Sequence, residues 1–181
     1  MPALRAGDLI CAFFELEWSM LDIVTIGAEV LTRAAEPVKD FDQGLKDFIE
    51  RMFDAMRVGR GIGLAAPQVA VGKRIFVVQV EDDVPRVFVN PELVRTGERI
   101  VSLEEGCLSI PGVYADVKRS AEITVQAWNE RGRPFTLDAD GLLARVVLHE
   151  LDHLNGVLFV DRLPEAAKAK VLAQYEKRRR Y

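Results

Sequence analysis

The sequence contains very few of the residues that most often bind metals or form cross-links. Its 181 residues include two cysteines, Cys11 and Cys107, and two histidines, His149 and His153. Two cysteines are too few for a disulfide framework, and they indicate a reducing compartment. Both histidines fall within one short segment, and this concentration points to a shared chemical role.

Long apolar runs and an excess of positive charge are also absent. No stretch reaches the ~18 apolar residues that would span a bilayer. The apolar run at residues 9–14 is interrupted by Glu15 and Glu17 and lacks the length and cleavage site of a signal peptide. The net charge of -4 gives no basic field that would favour nucleic acid as the main ligand. We therefore expect a cytoplasmic protein that does not enter membranes and does not bind DNA specifically.

What is present is the composition of one ordinary globular domain. Hydrophobic residues make up 49% and charged residues 29% of the chain, so a packed core is expected. Residues 1–19 mix apolar and acidic side chains without a clean period. We interpret them as an N-terminal extension, either a short added helix or the product of a start assigned upstream of Met20, and residues 20–181 as one domain.

The sequence predicts three helices, the first of them from the spacing of apolar residues. Between Phe41 and Met56 they recur every three or four residues, with Asp40 as the expected cap and Gly59 as the stop. A second helix is expected at residues 141–155, capped by Asp138 or Asp140, and a third from about Pro164 to the C-terminus.

Strands are predicted at residues 74–80, 86–90, 122–128 and 134–137, with Pro91 ending the second. Their short connections favour antiparallel pairing. We therefore predict an α+β fold. Antiparallel sheets pack around a central buried helix at residues 141–155, with an amphipathic helix before them in sequence and a C-terminal helix after them.

The segment HELDH at residues 149–153 is the strongest chemical signal. Residues four apart lie on one face of a helix, so His149 and His153 can reach one metal ion. Glu150 can then act as a general base on a water molecule at that ion. A solvated helix face is the alternative, but the helix is apolar nearly all round, and charges buried in such a helix are costly unless paired or metal-bound.

The third metal ligand has two candidate sources in the sequence. In zinc endopeptidases with this motif it is a glutamate on a later helix, which here means Glu165 or Glu176. The other source is Cys107, which Gly106 gives the backbone freedom to present. Cys107 is the better candidate because Glu176 lies in a basic segment, although most free cysteines are simply small buried hydrophobes.

Three segments in this order resemble the peptide deformylase family. They are GIGLAAPQ at residues 61–68, EGCLS at 105–109 and HELDHL at 149–154. The first lacks the lysine and the spacing of a phosphate-binding loop. The resemblance extends from about Met20 to the end of the chain, and the basic C-terminal helix matches the bacterial subgroup that ends in a helix.

The resemblance implies a metal centre at three of the matching positions. Cys107, His149 and His153 would hold one divalent ion, with Fe²⁺ typical of the family and Zn²⁺ or Ni²⁺ accepted. A metal-bound water would attack the substrate while Glu150 acts as general base.

The resemblance also implies which groups bind the substrate. The Gln68 amide and the Leu108 backbone N–H would hold the oxyanion. The remaining substrate-binding positions would be Ile62, Gly63, Gly106, Leu142 and Val146.

The implied reaction is removal of the formyl group from the N-terminal formyl-methionine of new polypeptides, with release of formate. We infer from the residues that small side chains around Gly61 and Gly63 admit a formyl group and exclude larger acyl caps. The basic C-terminal helix would either be solvated or contact the ribosome. The alternatives are a zinc endopeptidase with Glu176 as ligand and a catalytically silent homologue that only binds.

Three positions depart from the family pattern. Leu148 stands where glutamine is usual, and Tyr114 stands where a basic residue is frequent. Arg145 replaces an apolar residue and is expected to line the pocket rim or extend to water. Apart from these departures, we expect the Asp152 carboxylate to pair with Arg119.

Overall fold

The computed structural model describes residues 20–81 and 83–180. Its helices are α1 (Gln43–Val58), α2 (Gly141–Leu154) and α3 (Glu165–Arg179). Its strands are β1 (Gly63–Ala65), β2 (Ile75–Val78), β3 (Arg86–Thr96), β4 (Ile100–Cys107), β5 (Ile110–Ser120), β6 (Glu122–Trp128) and β7 (Pro134–Asp140). The short helix considered for residues 1–19, and Cys11 with it, lie outside the described residues.

The strands form two antiparallel sheets. Five of them pair in the order β1-β2-β3-β6-β7, and β4 pairs with β5 in a separate ribbon. Helix α2 packs against strands of both sheets. The α+β prediction, with antiparallel sheets around a central helix and a C-terminal helix, is confirmed.

The sequence of β2 shows how two of the apolar clusters of the core are separated. Phe76 and Val78 pack into the cluster around α2, whereas Ile75 and Val77 pack into the cluster around α1. Successive side chains of a strand point to opposite faces. Because both faces of β2 are covered, all four of its residues are apolar and buried.

A third apolar cluster joins the β4–β5 ribbon to α3. Val171 and Tyr175 of the helix are buried with Ile110, Val113 and Val117 of β5. The ribbon carries Cys107 at the end of β4, so this cluster helps to hold the candidate ligand in place. Within the part of the chain that the structure describes, no helix is both long and apolar enough to cross a membrane.

Some element boundaries differ from those predicted. Asp42, not Asp40, caps α1, with its carboxylate accepting from the Leu45 N–H. Helix α2 ends at Leu154, and Pro164 precedes α3 as its N-cap. Strand β3 continues through Pro91 to Thr96, because a register shift between Val89 and Glu92 accommodates the proline without a ladder hydrogen bond.

Candidate metal centre and active site

Three segments bring the candidate site together. Helix α2 presents His149 and His153 from successive turns, with Glu150 beside them. The end of β4 presents Cys107. The 3₁₀ turn at residues 66–69, directly after β1, presents Gln68. Four of these five residues are buried and His149 is nearly so, and all five come from regular elements or turns attached to them.

The three predicted ligands converge. The Sγ atom of Cys107 lies 3.2 Å from Nε2 of His153. One ligand atom each from Cys107, His149 and His153 lies within 4.8 Å of the others. A thiolate with two imidazoles is a donor set for Zn²⁺ or Fe²⁺, and three protein ligands leave a coordination position open.

The hydrogen bonding of the His149 ring fits metal binding as well. Nδ1 of His149 pairs with Oε2 of Glu105 at 2.8 Å, which leaves Nε2 of that ring for the site. A carboxylate behind a ligand histidine is the arrangement that commonly fixes ring orientation at metal centres. The residues present therefore fit a divalent ion.

The glutamates proposed as alternative third ligands lie elsewhere. Neither Glu165 nor Glu176 belongs to the ligand group. Glu176 instead pairs with Arg179 on the same helix, at 3.3 Å. The geometry therefore does not provide the ligand set of a zinc endopeptidase.

The surroundings of the two rings shift their pKa values in opposite directions. Burial lowers the pKa of His149, but its hydrogen bonds with Cys107 and Glu105 outweigh burial and raise that pKa to about 10. His153 is fully buried, and burial lowers its pKa well below the usual value. A divalent cation would supply the positive charge that the thiolate and carboxylates attract, while both rings stay neutral as ligands must.

Glu150 has the placement expected of a general base. Its side chain is buried, and burial raises its pKa to about 7. Its Oε2 has no hydrogen-bond partner among residues 20–81 and 83–180. The carboxylate also packs directly over Gly63, since a Cβ built there would overlap it.

The amide of Gln68 is held in one orientation. Its Oε1 accepts a hydrogen bond from the Ala65 N–H at 2.8 Å. Its Nε2 consequently faces Cys107 Sγ, at 3.5 Å, and Ser109 Oγ, at 3.2 Å. The donor end of this buried amide is therefore directed at the candidate metal centre.

A cavity of about 550 Å³ opens onto these groups. All the positions expected to bind substrate lie in its wall, namely Ile62, Gly63, Gln68, Gly106, Leu108, Leu142 and Val146. Ile62, Leu142 and Tyr114 are exposed apolar side chains at its mouth. The Tyr114 ring covers Gly106, where a Cβ would come 2.5 Å from ring atom Cε1.

A network of buried charges supports the site. Arg119 Nη1 donates to Asp152 Oδ2 at 2.7 Å, which confirms the predicted pair. Arg162 also bonds to Asp152. The expectation that Arg145 lines the rim or extends to water is wrong in its second part: the side chain lines the cavity but is 5% exposed, because its guanidinium bonds to Glu105 and to backbone carbonyls.

Glu105 is a residue of the candidate site that sequence reasoning missed. It accepts from His149, Arg119 and Arg145, and these bonds overcome the effect of burial and hold its pKa far below the usual value. One signal could have revealed it. Glu105 stands two residues before Cys107, and residues two apart in a strand share a face.

Comparison with known proteins gives consistent matches. The family model described as polypeptide deformylase matches residues 20–169. The peptide deformylase of Treponema pallidum is 46% identical over 155 residues, 86% of this chain and 95% of that protein.

Solved structures give the same result. A peptide deformylase from Legionella pneumophila has a TM-score of 0.85 and 40% identity, covering 90% of this chain and 96% of that one. Another, from Synechococcus elongatus in complex with actinonin, has a TM-score of 0.82 and 44% identity, covering 85% and 86%. The residues matched by the family model include every segment that lines the cavity.

Proposed function

The chain belongs to the polypeptide deformylase family, and from this premise we propose that it removes the formyl group from the N-terminal formyl-methionine of newly made polypeptides. Members of the family are hydrolases that use a metal ion to cleave N-formyl groups. The observation that carries the proposal is the meeting of Cys107 with His149 and His153 beside the buried carboxylate of Glu150. Within the described residues, no other group of side chains completes a metal site with the two histidines of this helix.

In the proposed reaction, the protein groups bind the substrate and move protons. A divalent ion held by Cys107, His149 and His153 would supply Lewis acidity. Glu150 takes a proton from the attacking water as the water oxygen bonds to the formyl carbon. Glu150 then delivers that proton to the amide nitrogen as the C–N bond breaks, and the products are a free α-amine and formic acid, which ionises to formate.

Gln68 and Leu108 are proposed to stabilise the developing charge. The Nε2 group of Gln68 and the backbone N–H of Leu108 would donate to the formyl oxygen as it becomes an oxyanion. The orientation of Gln68 supports this role, because the Ala65 N–H occupies its acceptor oxygen. Ile62, Leu142 and Val146 would contact the methionine side chain, and the backbones of Gly63 and Gly106 would contact the peptide.

Acyl-group selectivity tests the proposal. We expect the metal-loaded protein to release formate from formyl-Met-Ala-Ser and no measurable acetate from acetyl-Met-Ala-Ser, because the site around Gly61 and Gly63 is narrow. A Cβ at Gly61 would already lie 2.7 Å from Leu108 Cδ1. Equal hydrolysis of both caps, or cleavage of the Met–Ala bond in either peptide, would contradict the proposal.

Gly63 offers a second test of the same site. A Cβ at this position would overlap the Glu150 carboxylate and come 2.7 Å from Val146 Cγ1. We expect Gly63→Ala to lower kcat/KM by about 100-fold, since displacing a catalytic group by about 1 Å can cost that much. Gly72→Ala is the matched control, because nothing lies within 4 Å of its Cβ position. A wild-type kcat/KM for Gly63→Ala would mean that the Glu150 carboxylate does not lie this close to Gly63.

We propose Fe²⁺ as the native ion, with Zn²⁺ or Ni²⁺ as active substitutes. A thiolate with two imidazoles suits iron and zinc alike, and the family resemblance favours iron. The iron-loaded protein is expected to lose activity in air through oxidation of the ion and of the Cys107 thiolate. Equal half-lives in air and under nitrogen would count against iron.

The C-terminal helix suggests where the enzyme works. Lys170, Lys177, Arg179 and Arg180 are exposed on or beside α3, whereas Val171 and Tyr175 of the same helix are buried. We propose that residues 20–181 act as one catalytic domain in the cytoplasm, with this basic surface near ribosomal RNA. Ribosome co-sedimentation that is unchanged after removal of residues 177–181 would argue against the contact.

A further inference from the structure

Glu105 accepts four hydrogen bonds, which accounts for all of its acceptor capacity in the plane of the carboxylate. Its Oε1 accepts from Arg119 Nε at 2.6 Å and from Arg145 Nη1 at 2.9 Å. Its Oε2 accepts from Arg119 Nη2 at 2.9 Å and pairs with His149 Nδ1 at 2.8 Å. One carboxylate therefore links two guanidinium groups to a proposed metal ligand.

Arg145 does more than balance this charge. Its Nη1 also donates to the Val117 carbonyl at 2.6 Å, and its Nη2 donates to the Val101 carbonyl at 2.7 Å. Val101 lies in β4 and Val117 in β5, so one side chain of α2 is bonded to both strands of the ribbon. Each of these bonds joins a charged donor to an acceptor, which is the stronger class of hydrogen bond.

The position of Arg145 along α2 determines which parts of the site these bonds connect. Arg145, His149 and His153 are spaced four apart and share one face of α2. Across from this face, Glu105 and Cys107 share one face of β4. Arg145 thus connects the helix that supplies two ligands to the strand that supplies the third, one helical turn before the first histidine.

The charge of Arg145 is difficult to explain by packing alone. A buried guanidinium is costly to desolvate, and an apolar side chain of similar size often serves stability as well. What an apolar side chain cannot provide is directional bonding to three separate groups. The geometry therefore favours a role in alignment.

We propose that Arg145 is a positioning residue for the metal centre. It aligns α2 with the β4–β5 ribbon so that Cys107, His149 and His153 meet before an ion binds, and it fixes Glu105 so that His149 presents Nε2. The proposal rests on the proposed function, because it requires these three residues to be the ligands.

The test compares three variants by their binding of Co²⁺. Arg145→Met removes all the directional hydrogen bonds while keeping a side chain of similar size. Arg145→Lys retains the positive charge but lacks the forked guanidinium group. Arg74→Met is the matched control, because Arg74 also donates to backbone carbonyls, of Leu154 at 3.3 Å and of Pro91 at 3.2 Å, without contacting Glu105. Co²⁺ affinity is measured by competition with a chromophoric chelator, and thiolate coordination is measured from the charge-transfer and visible absorption bands.

Arg145→Met is expected to weaken Co²⁺ binding by about 10- to 100-fold and to shift the visible bands, as loss of a group behind a metal ligand commonly does. Arg145→Lys should recover part of the affinity, and Arg74→Met should lower thermal stability while keeping the wild-type affinity and spectrum. If Arg145→Met does not fold, Arg145→Lys alone decides, since wild-type affinity and spectrum there would overturn the proposal. Wild-type values in folded Arg145→Met would overturn it too. A wild-type protein without a thiolate–Co²⁺ band would instead refute the proposed ligand set.

Discussion

Replacing Glu150 with glutamine is expected to lower kcat for formate release by about 10²- to 10⁴-fold, the usual contribution of a positioned general acid–base. Glutamine keeps the size and burial of the side chain but cannot accept a proton. The loss should fall on kcat, with little change in KM, because Glu150 acts on the water and the leaving nitrogen rather than on substrate affinity. The measurement is steady-state release of formate from formyl-Met-Ala-Ser.

Two controls make that result specific. The metal content of Glu150→Gln should equal that of wild type, because Glu150 is not one of the three ligand groups. Glu176→Gln changes a glutamate that pairs only with Arg179 among the contacts described for α3, and it should leave kcat unchanged. If Glu150→Gln kept the wild-type kcat, proton transfer would have to be assigned to another group.

Replacing Cys107 with alanine is expected to abolish stable metal binding and, with it, activity. The two imidazoles that remain would form a weak site. Loss of a group that merely supports a ligand costs about 10- to 100-fold in affinity, and loss of a ligand should cost more. We expect less than about one tenth of a metal ion per chain after dialysis, measured by elemental analysis of the purified protein.

Ser109→Ala is a suitable control for Cys107→Ala. Ser109 is fully buried next to Cys107 and contacts Gln68, at 3.2 Å, but it is not among the ligand groups. The Ser109→Ala variant should therefore retain one metal ion per chain. Retention of a full ion by Cys107→Ala would mean that another residue completes the site, as a glutamate does in zinc endopeptidases.

Helical periodicity allowed most of the helical framework to be predicted. Apolar spacing located α1 and capping residues located α2 to within a few residues, and the four-residue spacing of His149 and His153 placed both rings on one face. These features depend on neighbours one turn away in sequence. They can therefore be recognised without knowing what the helix packs against.

The β4–β5 ribbon was not predicted, for a physical reason. Along β4 the first five residues are exposed or half-buried, and only Glu105 and Cys107 are buried. No alternation of apolar and polar residues marks the strand, because its buried positions hold a charge and a thiol. The extension of β3 past Pro91 was missed because the bulge that permits it depends on pairing with β6.

The same limit applies to the candidate site. Cys107, His149 and Gln68 belong to segments whose order is distinctive in sequence. Glu105 and Arg145 are 40 residues apart, and their hydrogen bond exists only because the ribbon folds against α2. From the sequence alone, Arg145 is only an isolated departure from the family pattern at the pocket. Its buried partners explain the charge.

The most direct test of the account is the coordination shell of the bound ion, because the thiolate is what separates this site from other HExxH centres. X-ray absorption at the zinc edge of the zinc-loaded protein should show one sulfur and two imidazole nitrogens, completed by oxygen. The Cys107→Ala sample, soaked with zinc, should show no sulfur. A wild-type shell of nitrogen and oxygen alone would contradict the assignment of Cys107 as a ligand.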